Sequence, residues 1–156
     1  MDIGPSTRPD LSTAAVLGSF GAPGSIGVQG SGGTGAVGVD TLNTNPEPAS
    51  SLSNPQLYFD ARMWSGSSFT NLTVKDCDGT AGWELVYYNG SAWQAVAGVT
   101  AQDANGCLSV TLTGSASPSL SDLMANGVVF AATNPIEATT TAVTSSAAND
   151  TSIYGQ

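Results

Sequence analysis

Histidine is absent from this chain, and Lys75, Arg8 and Arg62 are its only cationic side chains. Without histidine the chain cannot form a Ser-His-Asp or Cys-His catalytic arrangement, or a zinc site that uses imidazole. Three scattered cations do not neutralise a run of phosphates, so we expect no nucleic-acid partner. A formal net charge of −9 also opposes attraction to an anionic membrane surface.

Several other signatures of binding or catalysis are missing. No run of about 18–20 apolar residues occurs, so no membrane insertion is expected. The glycine-rich stretch "GSGGTGAVG" (30–38) follows no convincing strand and opens no helix, and it is better explained as a linker than as a phosphate-binding loop. Twelve acidic residues are present, yet nothing marks a catalytic pair among them. The sequence therefore predicts no enzymatic activity and no cofactor.

The chain has two cysteines, Cys77 and Cys107, which flank its most aromatic segment. Two cysteines without histidine make a poor metal site. A disulfide between neighbouring strands or loops is the favoured interpretation, and two buried free thiols are the alternative. A disulfide would indicate an oxidising, extracytoplasmic location.

Alternation of apolar and polar residues predicts short strands between residues 56 and 133. In "QLYFDARMW" (56–64) every second residue is apolar, which is typical of a strand with one buried face. One helical turn is expected within 115–124, with Ser119 as its N-cap. Short strands separated by turn residues predict an all-β, Ig-like antiparallel sandwich over 57–133. The remaining predicted strands lie at 67–77, 83–88, 91–96, 107–114 and 126–133.

Both flanks of this domain are rich in small residues. Residues 1–56 form a Gly/Ser/Pro-rich segment that predicts an extended arm, although 14–20 could be a short strand. Residues 134–156 predict a second arm. Few charges protect the strand edges, so we expect an arm of one copy to add a strand to the sheet of another. The side chains expected to fill the partner's groove are Val37 and Val39, or Ala142 and Thr144.

The aromatic segment "WELVYYNGSAWQAV" (83–96) predicts a hairpin around Asn89-Gly90. A loop with an even number of residues places Val86 and Trp93 on one face. An odd loop instead places Trp93 with Leu85, and it separates apolar from polar residues more cleanly, so it is the expected arrangement. Both tryptophans of the segment would then be mostly buried in the core.

Two weaker binding sites compete with purely structural explanations. Tyr58, Trp64 and Tyr88 are the candidates for a solvent-facing platform that stacks against sugar rings. Asp76 and Asp78 are weak calcium candidates, because calcium prefers clustered oxygen ligands. The alternative for these two residues is a turn whose carboxylates bond to their own backbone.

Two stretches resemble known secreted proteins. The sequence "ELVYYNGSAWQAVAGVTAQDANGCLSVTLTGSASPSLSDLMANGVVFAA" (84–132) resembles the closing β-module of large secreted or surface-anchored bacterial proteins. The stretch "TTTAVTSSAANDTSIYGQ" (139–156) is similar to the opening strand of bacterial Ig-like repeats. The resemblance implies an extracellular, repeat-containing or stalk-like context without active-site residues.

These observations predict a non-catalytic extracellular structural protein. The favoured hypothesis is a self-associating surface or fibre subunit whose partners are further copies of the chain. Two alternatives remain: a monomeric stalk or adhesin module of a cell-surface protein, and a carbohydrate-binding module with a polysaccharide partner.

Overall fold

A computed structural model describes residues 14–47, Leu52, Pro55 and 57–134. Within that part of the chain the protein forms nine strands and one short helix. The strands are β1 (Ala14–Leu17), β2 (Ile26–Ser31), β3 (Val37–Leu42), β4 (Tyr58–Met63), β5 (Asn71–Asp76), β6 (Glu84–Tyr88), β7 (Trp93–Ala95), β8 (Leu108–Leu112) and β9 (Val128–Thr133), and helix α1 spans Leu120–Ala125.

The strands build two antiparallel sheets that pack face to face. One sheet has the order β1-β2-β5-β8, and the other has the order β3-β4-β9-β6-β7. Between them lies a continuous apolar core, in which the rings of Phe59 and Phe130 stack with centroids 5.5 Å apart. The predicted all-β sandwich is thereby confirmed.

The predicted start of the domain at residue 57 is wrong. β1, β2 and β3 belong to the sandwich, and β3 pairs along its whole length with β4 of the same chain. Val37 and Val39 are buried in the core of their own subunit, so they do not dock on another copy. The other predicted arm residues, Ala142 and Thr144, lie outside the described residues.

The glycine content of β2 explains why the sequence predicts a linker where the structure has a strand. A Cβ atom built on Gly30 of β2 would lie 2.6 Å from the ring of Phe69. Glycine at this position leaves room for the aromatic ring to lie directly on the backbone of the strand. The apolar volume that a strand usually supplies from its own side chains therefore comes here from a distant residue.

The β6–β7 hairpin differs from the expected odd arrangement. Tyr88 pairs with Trp93, so residues 89–92 form a loop of four. The Asn89 side chain stabilises this loop, because its Oδ1 atom accepts hydrogen bonds from the backbone N–H groups of Ser91 and Ala92, both at 2.9 Å. Trp93 consequently lies on the face of Val86, and Trp83 packs half-buried against the core on the opposite face.

Helix α1 has Ser119 as its N-cap, as predicted. The Ser119 hydroxyl accepts a hydrogen bond from the backbone N–H of Asp122, and the Asp122 carboxylate accepts one from the N–H of Ser119. This reciprocal pair satisfies two backbone donors that a helix start leaves free. In the part of the chain that the structure describes, no helix has the length and apolar character needed to cross a membrane.

Candidate functional site

The outer face of the five-stranded sheet, which points away from the core, carries a second apolar cluster. Trp93 is its centre, and its ring centroid lies 5.6 Å from that of Tyr58 and 5.5 Å from that of Tyr88. Val86 and Ala131 complete the buried part of the cluster. Because alternate residues of a strand face opposite sides, Asp60 lies on this same outer face, two residues beyond Tyr58.

A cleft of about 540 Å³ opens between this face and helix α1. We call it the acidic cleft, because its ionisable lining residues other than tyrosine are all carboxylic acids. Its size is within the range typical of sites for small ligands. The lining residues are Pro46, Glu47, Asp60, Tyr87, Tyr88, Asn89, Gly90, Ser117, Pro118, Asp122, Ala125, Asn126, Gly127, Val128 and Val129.

Asp60 forms part of the wall of the acidic cleft and is only 4% exposed. A Cβ atom built on Gly127 would lie 2.7 Å from Asp60 Oδ1, so glycine allows the carboxyl group to lie against the backbone. Asp40 of β3 is its direct cross-strand neighbour. Arg62, two residues further along β4, is the described cation whose charge acts on this carboxyl group.

Burial raises the pKa of Asp60 to about 7, the positive charges of Arg62 and of the chain's N-terminal amino group oppose that increase, and the negative charge of Asp40 adds to it. Burial dominates because a carboxylate loses its hydration when it leaves water. The carboxyl group therefore exchanges a proton near neutral pH. A buried acid that changes charge in this range is typical of functional sites, although structural networks can produce it as well.

The other two acids of the cleft are held differently. Asp122 is engaged at the helix start, where its Oδ2 atom accepts hydrogen bonds from the backbone N–H and the hydroxyl of Ser119, both at 2.8 Å. Glu47 lies in the connection after β3, and its backbone N–H donates to Asn45 Oδ1 at 2.9 Å. Of the acids that line the cleft, Asp122 is therefore the one whose carboxyl group is held by the start of the helix.

The three predicted sugar-stacking residues do not form one exposed platform. Tyr58 is buried at 8% exposure against Trp93, and Tyr88 lines the acidic cleft. Trp64 follows the far end of β4, where the guanidinium carbon of Arg62 lies 5.8 Å from its ring centroid. A flat sugar-binding surface made from these rings is not present among the described residues.

The predicted disulfide between Cys77 and Cys107 is confirmed, with the two sulfur atoms 2.02 Å apart. It joins the residue after β5 to the residue before β8. The backbone around Cys77 also holds the β1–β2 turn, because its N–H donates to Ser25 O at 2.8 Å and its carbonyl accepts from the N–H of Gly24 at 2.9 Å. The disulfide therefore fixes one end of the four-stranded sheet.

The structure favours the turn explanation for Asp76 and Asp78. Asp76 is buried, and its Oδ1 atom accepts a hydrogen bond from the backbone N–H of Asp78 at 3.0 Å. Burial raises the pKa of Asp76 to about 6, and the backbone hydrogen bond opposes that increase. No cluster of three potential metal-binding side chains occurs among the described residues, so the calcium interpretation gains no support.

Sequence reasoning missed Asp60 as a site residue, because strand alternation placed it on the solvent side of β4. The only local signal was an acid between Phe59 and Ala61, in a strand that begins with two aromatic residues. Comparison with protein-family models, curated proteins and solved structures found no match to this chain.

Proposed function

We propose that this chain is a non-catalytic extracellular structural protein that self-associates, as a surface or fibre subunit, through the edges of its sandwich. One observation carries the proposal. The four edge strands β1, β3, β7 and β8 contain one charged residue, Asp40, and no proline, lysine or arginine. Monomeric sheet proteins commonly protect such edges with charges or proline, because unpaired backbone groups attract further strands.

Strand β8 is the favoured acceptor edge. On its outer side it is bridged at Ser109, whose carbonyl accepts from the N–H of Thr100 at 2.8 Å. Among the described residues, no other strand pairs with the outer edge of β8 beyond this bridge. β7 is shorter, with three residues, and β1 lies beside β3 at the opposite side of the sandwich. An added strand therefore has most room along β8.

The C-terminal segment 138–146 remains the predicted donor strand. Its counterpart within residues 14–42 is unavailable, because these residues already pair within their own subunit. A contact between the arm of one copy and the edge of the next is head-to-tail, and it extends into a fibre unless the rotation closes a ring. The disulfide supports an oxidising, extracytoplasmic location for such an assembly.

The test places a lysine on the β8 edge. Thr111 of β8 and Thr73 of the interior strand β5 share one face, with hydroxyl oxygens 3.4 Å apart. Thr111→Lys should weaken self-association in sedimentation velocity and electron microscopy, because an added strand would have to accommodate the ammonium group. Thr73→Lys is the matched control, since it adds the same charge to the same face away from the edge.

Two results would count against edge association. If the wild-type chain remains monomeric at high concentration, the stalk-module alternative replaces it. If Thr73→Lys disrupts assembly as strongly as Thr111→Lys, the copies associate through the sheet face instead. Deletion of residues 135–156 tests the donor separately, because it should abolish assembly while leaving β8 intact.

A further inference from the structure

Three Asn-Gly pairs occur in this chain, at 89–90, 105–106 and 126–127. In such a pair the backbone nitrogen of glycine can attack the Cγ atom of asparagine, because glycine has no side chain to block the approach. All three asparagines are exposed, so access of solvent does not distinguish them. We propose that Asn89 is a site of self-catalysed deamidation, and that the folded structure selects it over the other two asparagines.

The reaction consumes only the asparagine amide and water. The nucleophile and the carbon that it attacks belong to neighbouring residues, so the step is intramolecular. Hydroxide from the solvent takes the proton of the Gly90 N–H, and the nitrogen forms a bond to Cγ of Asn89. The bond between Cγ and Nδ2 then breaks, and Nδ2 takes up a proton from water and leaves as ammonia. Water opens the remaining succinimide ring at either carbonyl, which yields aspartate or isoaspartate at position 89.

The backbone hydrogen bonds of the three glycines differ. Among the described residues, no acceptor reaches the N–H of Gly90. The N–H of Gly106 donates to Asp103 O at 2.9 Å, and the N–H of Gly127 donates to Leu123 O at 3.2 Å. The attacking nitrogen must lose its proton and turn toward Cγ, so each of these two bonds must break before the reaction starts. The nitrogen of Gly90 needs no such step.

The loop also stabilises the charge that develops on the side chain of Asn89. The Oδ1 atom accepts hydrogen bonds from the backbone N–H groups of Ser91 and Ala92, both at 2.9 Å. Attack at Cγ places a negative charge on this oxygen, so both hydrogen bonds become stronger as the tetrahedral intermediate forms. An interaction that is stronger in the transition state than in the ground state lowers the barrier. The two N–H groups therefore act as an oxyanion hole for Asn89.

The other two asparagines are held differently. The Nδ2 group of Asn105 donates to Gly21 O at 3.1 Å, which ties this side chain to the β1–β2 turn. Asn126 is the C-cap of α1, and its own backbone N–H donates to Asp122 O at 3.3 Å. Among the described residues, no backbone N–H donates to the Oδ1 atom of either side chain. The sequence motif is the same at the three sites, so the local hydrogen bonds decide which asparagine reacts.

Deamidation of Asn89 changes two neighbouring features. Asn89 and Gly90 line the acidic cleft, so either product adds a negative charge there. Isoaspartate also lengthens the main chain of the loop between Tyr88 and Trp93, and the length of this loop sets the face on which Trp93 lies. The loop shares no residue with β8, so the inference is independent of self-association.

The test compares the full chain incubated in mildly alkaline buffer with the same chain incubated in concentrated urea. Peptide mapping by mass spectrometry measures the acid formed at each Asn-Gly pair, and an isoaspartyl methyltransferase labels the isoaspartate. In the folded chain Asn89 should react at least about tenfold faster than Asn105 or Asn126. In urea the three rates should become similar, because the motif remains and the local hydrogen bonds are lost.

Asn89→Gln checks the assignment, because a longer side chain closes the ring poorly. This variant should lose the product at position 89 and keep the rates at Asn105 and Asn126. A folded-state rate at either of these two within about tenfold of the rate at Asn89 would overturn the proposal. So would the same ratio of rates in the folded chain and in urea, because the motif alone would then explain it. An Asn89 that stays intact in the folded chain while it reacts in urea would show that the loop protects it instead.

Discussion

At the scale of single residues, glycine determines where two larger groups can lie. Gly30 leaves space for the ring of Phe69 on β2, and Gly127 leaves space for the carboxyl group of Asp60 beside β9. In both cases the side chain that depends on the glycine is distant in sequence. The need for glycine therefore comes from a steric contact in the tertiary structure. It can be tested by replacing the glycine with alanine, which adds one methyl group.

Gly30→Ala should destabilise the sandwich by about 1–3 kcal/mol, because its new Cβ atom overlaps the Phe69 ring in a closely packed core. Gly114→Ala is the matched control, since a Cβ atom there meets no other atom within 4 Å. The control should be neutral or slightly stabilising. Chemical denaturation of both variants measures the difference, and equal free energies of unfolding would contradict the packing explanation.

The buried acids Asp60 and Asp76 make the stability of the protein depend on pH. Their folded-state pKa values, about 7 and about 6, lie above the ordinary value of 3.8. The folded protein therefore holds these protons more tightly than the unfolded chain does. The stability that these two groups contribute should be fully present below about pH 4 and should be lost, by several kcal/mol, as pH rises through 6 and 7.

Asp60→Asn should reduce that decline, because asparagine does not titrate, and the remaining decline should come from Asp76. Asp103 does not interfere in this range. Hydrogen bonds from the backbone N–H groups of Cys107 and Asn105 lower its pKa, so its contribution is lost only at more acidic pH. Urea denaturation at several pH values measures the slope, and a parallel decline in wild type and Asp60→Asn would exclude Asp60 as its source.

At the scale of elements, the β6–β7 hairpin shows how one side chain sets the face of its neighbours. The four-residue loop, closed by Asn89, places Trp93 with Tyr58 on the outer face of the sheet. A loop one residue shorter or longer would turn Trp93 to the opposite face. The outer apolar cluster, and with it the wall of the acidic cleft, therefore depends on this loop.

Asn89→Ala should destabilise the protein by about 0.5–1.5 kcal/mol, because the exposed N–H groups of Ser91 and Ala92 exchange their side-chain acceptor for water. Asn89→Asp retains an oxygen at the same place and should restore most of that stability. Thermal unfolding followed by tryptophan fluorescence compares the two variants. If Asn89→Asp is as unstable as Asn89→Ala, the side-chain oxygen does not stabilise the loop.

At the scale of the whole molecule, the disulfide encloses a segment that crosses between the sheets. Cys77 and Cys107 are 30 residues apart in sequence and both belong to the end of the four-stranded sheet. The residues between them include β6 and β7 of the five-stranded sheet. The disulfide therefore restricts the unfolded chain over a segment that starts and ends at the four-stranded sheet and supplies β6 and β7 to the five-stranded sheet.

Reduction of the disulfide should lower the free energy of unfolding by about 3–4 kcal/mol, as the loss of loop-closure entropy predicts for a loop of this length. The double variant Cys77→Ala/Cys107→Ala should show a similar loss and no further response to reductant. Calorimetry with and without reductant makes the comparison. An unchanged melting temperature of the wild type after verified reduction would contradict a stabilising role.

Sequence alone determined the parts of the fold that depend on local pattern. Alternating residues identified β4 and the strands after it, and the Ser119 cap located the helix. The pairing of Cys77 with Cys107 followed from the absence of other cysteines. The strands and the helix cap depend on residues that are close together in the sequence, and the chain has only two cysteines to pair. One sequence was therefore sufficient to predict these features.

Only the tertiary structure decided which residues belong to the sandwich at its N-terminal side and where the cleft lies. In β2, Gly27 and Gly30 leave room for the rings of Phe20 and Phe69 from elsewhere in the chain, and no local pattern records such a contact. The acidic cleft is likewise assembled from β4, β6, β9, α1 and four connections. Asp60 was indistinguishable from a solvent-facing strand residue in the sequence, and burial against Gly127 made it the central acid of the cleft.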